Sequence, residues 1–134
     1  LFLNRKESRK KVEELVERFG FRIDLQEKVV NLSVGMKQRV EILKTLYRGA
    51  DIIILDEPTA GLDPKERVRF RELIAELGKK NIVILSTHIV SDIDKIADRI
   101  LLMKNGQLIF SGSREEIDGD LEHFYLEEFE EEHV

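Results

Sequence analysis

Apolar residues recur along this chain in two rhythms. The first is helical. Val12, Leu15, Val16 and Phe19 form one stripe before Gly20, and Asn4 with Glu7 three residues on supplies a capping pattern at its start. Met36, Val40, Leu43 and Tyr47 share one face of a second helix expected from near Ser33 to about Arg48, with Gly49 at its stop. A third helix has Asp63 as N-cap, Pro64 at the first helical position and Glu66 completing a capping box. Phe70, Leu73, Ile74 and Leu77 are its expected buried stripe, and Gly78 closes it. The pattern also predicts a helix from about Val90 to Ala97, a short one opened by Ser113 and Glu116, and an acidic tail helix over 120–133. The second rhythm is continuous: 52–55, 82–85 and 100–103 are unbroken apolar runs, as expected of parallel strands buried on both faces. Asn105-Gly106 is a hairpin signal joining 100–104 to 107–111. Alternation of strand and helix predicts an α/β domain with a mainly parallel sheet and flanking helices.

Composition narrows this picture modestly. The chain has 134 residues, and 22 Lys and Arg against 27 Asp and Glu give a net charge of −5. That length allows one compact domain burying roughly 68% of the unfolded chain's surface. The mild acidity offers no general attraction to nucleic acid or anionic lipid. No apolar run approaches the roughly 18 residues that cross a bilayer, and the start carries no signal-peptide pattern. The absence of cysteine excludes disulfides and thiolate metal sites. The basic face of Arg5, Lys6, Arg9, Lys10 and Lys11 and the acidic run from Glu127 to Glu132 both read as solvated surface.

Three constellations could carry chemistry. Ligands of α/β folds sit at the carboxyl ends of parallel strands, and the 52–55 run delivers Asp56 and Glu57 to such an edge. Asp56 could hold a hydrated Mg²⁺ and Glu57 could orient or deprotonate a water; the plainer alternative is a polar pair ending a strand before Pro58. The next apolar run ends in Ser86-Thr87-His88, which would bring His88 to the same edge. Third, Ser33 and the free N–H groups opening the second helix form a ready anion site, which Gly35 would let a phosphate oxygen approach; from these residues alone an ordinary Ser N-cap is the better reading.

Taken together the motifs resemble the nucleotide-binding domain of ABC ATPases, a family with a P-loop NTPase fold. Leu32-Ser33-Val34-Gly35-Met36, continued by Lys37-Gln38-Arg39-Val40, resembles the family's LSGGQ signature and its helix. Residues 52–57 resemble the Walker B strand with its catalytic glutamate, 58–63 the D-loop, and Ser86-Thr87-His88 the switch histidine. The resemblance covers about residues 28–117, in the family's order and spacing. Val34 and Met36 depart from the usual Gly and Gln, in a form similar to sugar- and nucleoside-importer ATPases, whereas 87–92 look more like drug or peptide exporters. No G-x-x-x-x-G-K-S/T occurs in the sequence, so the chain looks like the C-terminal half of such a domain. In these terms, 1–50 reads as the end of the helical subdomain, 51–117 as the core with its hairpin, and 118–134 as the tail.

The resemblance implies that Ser33 and Gly35 contact the γ-phosphate of ATP held by a second nucleotide-binding domain. It further implies that Asp56 serves Mg²⁺ through water, Glu57 activates the attacking water, His88 holds the γ-phosphate end, and Asp63 connects the paired sites. It also implies a transmembrane permease partner and a cytoplasmic position at the inner face of the membrane. The missing phosphate loop leads to the expectation that the chain alone is inactive. A non-catalytic interaction piece lending its signature surface to another ATPase is the alternative. A chromosome-maintenance ATPase would need heptad-bearing segments, which the sequence lacks.

Overall fold

The computed structural model describes residues 4–130, in two compact units, one ending at Ser86 and the other beginning at Thr87. In the first unit, α1 (Arg5–Arg18) is capped by Asn4, whose side chain accepts from Glu7 N–H at 3.4 Å. None of its residues is fully buried. It packs on α2 (Val34–Tyr47) through its half-buried stripe, and the Tyr47 hydroxyl donates to Ser8 Oγ at 3.0 Å.

Helix α2 starts at Ser33, as its capping pattern predicts, but turns a different face inward. Gly35, Arg39, Ile42, Leu43 and Leu46 are buried, whereas Met36, Val40 and Tyr47 are only half-buried. Hydrophobicity alone misplaces the stripe because a glycine and an arginine occupy its inner line. Their partners lie in α3 (Pro64–Gly78) and the loop before it.

Helix α3 connects β1 (Ile52–Asp56) to β2 (Ile82–Ser86), which pair in parallel with Ile52 opposite Ile82 and Asp56 opposite Ser86. All four expected core residues of α3 are buried, Phe70 and Leu77 completely. The strands themselves depart from expectation. Ile53 is buried, but Ile52, Ile54, Ile82 and Ile84 are 54, 73, 62 and 50% exposed. The two apolar runs are therefore covered on one face only. Continuous β-branched runs mark strands suited to burial on both sides, but among the described residues nothing covers the second. The exposed area equals between two and three whole isoleucine side chains, about 4–7 kcal/mol of unrealised burial.

The second unit contains α4 (Val90–Ile93), β3 (Arg99–Lys104), β4 (Gln107–Ser113) and α5 (Leu121–Glu130). Helix α4 ends before the expected Ala97: the N–H of Ile96 turns back to the Ile93 carbonyl, closing it in a tight turn. The 100–103 run is not a parallel strand covered on both faces, and Leu101 and Met103 are exposed. Instead β3 pairs with β4 in an antiparallel hairpin, a sheet separate from the parallel pair. Its turn has positive φ at both Asn105 (51°) and Gly106 (77°), the backbone shape that an Asn-Gly pair favours. Ile100, Ile117 and Leu121 form this unit's core, with Phe110 and Phe124 edge-to-face beside it at 5.2 Å. Lys104 Nζ ties α5 to the hairpin by donating to the Glu128 carbonyl at 2.9 Å. The remainder of the expected tail helix, 131–133, lies outside the described residues.

Candidate functional site

The carboxyl end of β1 presents the two acids differently. Asp56 is exposed and accepts a short hydrogen bond from the Ser86 hydroxyl, its partner across the parallel pair. Period-two alternation puts Asp56 on the same face as Ile52 and Ile54. Glu57 leaves the strand direction altogether, with φ at +43°, a conformation that crowds an L side chain. Its N–H donates to the Ser86 carbonyl at 2.9 Å, and its carbonyl accepts from Ala60 N–H at 3.1 Å. The last ladder bond and the following turn thus hold a strained residue where the strand meets its loop.

That loop, 57–63, runs to α3 with Pro58, Thr59 and Leu62 buried. Asp63 caps the helix, accepting from Glu66 N–H at 2.9 Å. The N-terminus of α2 lies against this same loop. Ser33 is exposed, and its hydroxyl accepts from Met36 N–H at 3.3 Å, leaving Val34 and Gly35 N–H outside the intrahelical ladder. Gly35 is buried, and a Cβ placed on it would lie 3.1 Å from both Leu62 Cδ2 and Glu66 Oε2. Its small size fits a tight approach: a side chain there would require Leu62 and Glu66 to give by a few tenths of an ångström.

The first unit thus brings Ser33, Gly35, Asp56, Glu57 and Asp63 onto one set of packed elements. His88 belongs to the second unit, two residues beyond the end of β2, and is exposed. Among the described residues no group of three or more His, Asp or Glu is arranged to hold a metal ion by itself. The capping box expected of Glu66 is only half made: Asp63 accepts from its N–H, but the Glu66 carboxylate turns to Arg39 in a largely buried ion pair between α2 and α3, a pairing that sequence reasoning missed. The available signal was the charged Arg39 in line with Gly35, Ile42 and Leu46 at helical spacing.

Comparison with known proteins supports the motif reading. A family model described as ABC transporter matches residues 2–60. The nucleoside import ATP-binding protein NupA of Lactococcus lactis subsp. cremoris is 45% identical over 108 residues, covering 80% of this chain and 21% of that protein. The ABC transporter ATP-binding protein NatA of Bacillus subtilis is 37% identical, covering 86% of this chain and 47% of its own length. The solved structure of cbiO1 from Clostridium perfringens, part of the ABC transporter complex cbiONQ, superposes with a TM-score of 0.74 at 34% identity. That match covers 87% of this chain and 47% of the other. The chain thus spans between a fifth and a half of the relatives it matches. Over four fifths or more of its length the chain is thus similar to ATP-binding proteins of ABC transporters, in sequence and in fold, as the order of its motifs led one to expect.

Proposed function

We propose that this chain is the hydrolytic part of an ABC transporter's ATP-binding subunit, its Asp56–Glu57 edge carrying hydrolysis and its Ser33–Gly35 turn contacting the γ-phosphate of nucleotide held by a second nucleotide-binding domain. The observation that carries the reading is the β1 edge. Glu57 is held in a strained turn beside Asp56, and the Ser33–Gly35 turn packs against the loop that follows them. Ser33 and the free N–H groups of α2 suit a phosphate oxygen, since a helix N-terminus favours negative charge. The exposed Asp56 carboxylate with the Ser86 hydroxyl suits Mg²⁺ held through water, a cation that binds by one or two carboxylates and keeps most of its waters. Bound there, Mg²⁺ would neutralise charge on the phosphate oxygens. Glu57 accepts a proton from the attacking water and aligns it, and His88 holds the γ-phosphate end, while Ser33 meets the γ-phosphate of the nucleotide held by the second domain. Catalysis of this kind is positioning and charge stabilisation of an in-line transfer. Hydrolysis is coupled to transport through a permease subunit, which places the chain peripherally at the inner face of the membrane. Among the described residues no helix is long and apolar enough to cross it.

In the assembled ATPase, Glu57→Gln is expected to lower turnover about 100-fold or more while nucleotide binding persists, the range typical of losing a general base. Parental turnover in that variant overturns the assignment. The chain alone is expected to show neither hydrolysis nor micromolar ATP binding by calorimetry with Mg²⁺, because its sequence holds no phosphate loop. The same absence supports the second reading, a non-catalytic piece lending the Ser33–Gly35 surface to another ATPase. Turnover of the assembly that is indifferent to Glu57→Gln but lost on Ser33→Arg selects that reading.

A further inference from the structure

Two helix N-termini meet at one carboxylate. Glu66 stands in the first turn of α3, with Oε2 3.2 Å from Arg39 Nη2 and Oε1 3.2 Å from Arg69 Nη1. The Arg39 side chain is only 7% exposed, and its other terminal nitrogen reaches Met36 Sδ at 3.6 Å. Oε2 is buried without a directed hydrogen bond, so charge rather than bond geometry holds it to Arg39. One turn earlier on α2, Gly35 approaches the same oxygen and Leu62 so closely that a Cβ would lie 3.1 Å from each. The backbone N–H of Glu66 is in turn bound by Asp63. A charge of this burial is costly when left unpaired. Arg39 therefore keeps its inward position because Glu66 is there, and the pair spans two helices rather than successive turns of one.

We propose that Glu66 is a positioning residue for the ATPase site. Through Arg39 and its contact with Gly35 it fixes Ser33 and the first turn of α2 against loop 57–63. The phosphate-facing turn and the loop that carries Glu57 then present themselves as one rigid surface. This inference rests on the ATPase reading above. A group held off its productive position by about 1 Å can lose up to about 100-fold in rate, so partial loosening corresponds to about tenfold.

The test is steady-state ATP hydrolysis by the assembled ATPase carrying the full chain with Glu66→Ala, Glu66→Gln or the exchanged pair Arg39→Glu/Glu66→Arg. Glu57→Gln serves as the control, and melting is followed for each variant. Glu66→Ala is expected to lower kcat about tenfold with KM for ATP changed less than about twofold, because the nucleotide is held by the partner domain. Glu66→Gln falls between, and the exchanged pair recovers part of the rate. A lowered melting temperature with parental kcat in the folded protein overturns the proposal, since that is what a merely structural pair would show. Should Glu66→Ala fail to fold, Glu66→Gln decides: a reduced kcat supports the role and an unchanged one overturns it. If Glu57→Gln keeps turnover, the ATPase reading itself fails. If Glu57→Gln is inactive while both Glu66 variants match the parent, only the positioning role fails.

Discussion

The strained residue at the β1 edge allows a test of backbone energetics separate from chemistry. Glu57 sits at φ +43°, where an L residue meets its own carbonyl and loses about 1–2 kcal/mol. Replacing it with Gly removes that strain but also gives the unfolded chain more freedom, at about 0.5–1 kcal/mol. Any contact of the carboxylate is lost as well, so the informative comparison is Glu57→Gly against Glu57→Ala. Both variants lack the carboxylate, and they differ mainly in the backbone term. At an ordinary position Gly is the less stable of the two by about 0.5–1 kcal/mol. Here the order should reverse, with Gly the more stable by about 0.5–1 kcal/mol, or about 2–4 °C in melting temperature for a chain of this size. Urea midpoints of the two variants, read with a common m-value, measure the difference. A glycine variant equal to or below the alanine variant would refute a strained Glu57. Hydrolysis is expected to be lost in both, so a more stable protein would be the less active one, as strain kept at a functional site requires.

The remaining predictions concern burial and protonation. Phe70→Ala, at a fully buried position, should cost about 3–5 kcal/mol by urea unfolding. Ile54→Lys, in the middle of an equally apolar run but 73% exposed, should stay within about 0.5 kcal/mol; a cost above 2 kcal/mol would show that this face is covered after all. Glu116 has its carboxyl held below the ordinary range, first by the Ser113 backbone N–H, which donates to Oε1 at 2.9 Å, and then by the Ser113 side chain. A folded-state value below the unfolded one means that the folded form binds fewer protons there. Its stabilisation is therefore complete above the ordinary glutamate value of about 4.3 and is lost as pH falls through the lower, folded value. A side-chain NMR titration should show Glu116 ionising below other exposed glutamates, and a midpoint at or above theirs would refute the capping-box cause.

What the sequence made legible was local. Asn4, Ser33 and Asp63 each cap the helix that their patterns predict, because a cap depends on a side chain and an N–H three residues away. Asn105-Gly106 likewise prescribes its own turn. Long-range packing was less legible. The apolar runs of β1 and β2 describe strands suited to two covered faces, but whether a second layer is present is a property of the assembly, not of the strand. The inner line of α2 was hidden because Gly35 and Arg39 carry no hydrophobic signal, and their burial depends on Leu62 and Glu66 some thirty positions away. Gly112 shows the same limit: a Cβ there would come within 2.9 Å of Glu116 Oε2 and 2.7 Å of Phe110 Cζ, a reason visible only once the capping box is folded. The site acids were legible because their position follows from the strand that carries them.

The one-sided cover of the parallel pair bears directly on the chemistry proposed for its edge. Ile52, Ile54 and Asp56 alternate onto a single face of β1, so the exposed isoleucines lead straight to the carboxylate proposed to hold Mg²⁺. An element that covered those isoleucines would also come close to Asp56 and thin the water around it. Electrostatic interactions in a water-excluded site are worth several times their value in bulk solvent. The helix-covered face, by contrast, is already closed by α3, and the loop carrying Glu57 is already anchored by Ser86, Leu62 and Asp63. The proposed site residues of the first unit are therefore held by contacts within the chain, while the water at the open face depends on whatever covers it. Expected inactivity of the chain alone follows from the phosphate loop its sequence lacks: nothing in it holds a nucleotide against the Asp56–Glu57 edge.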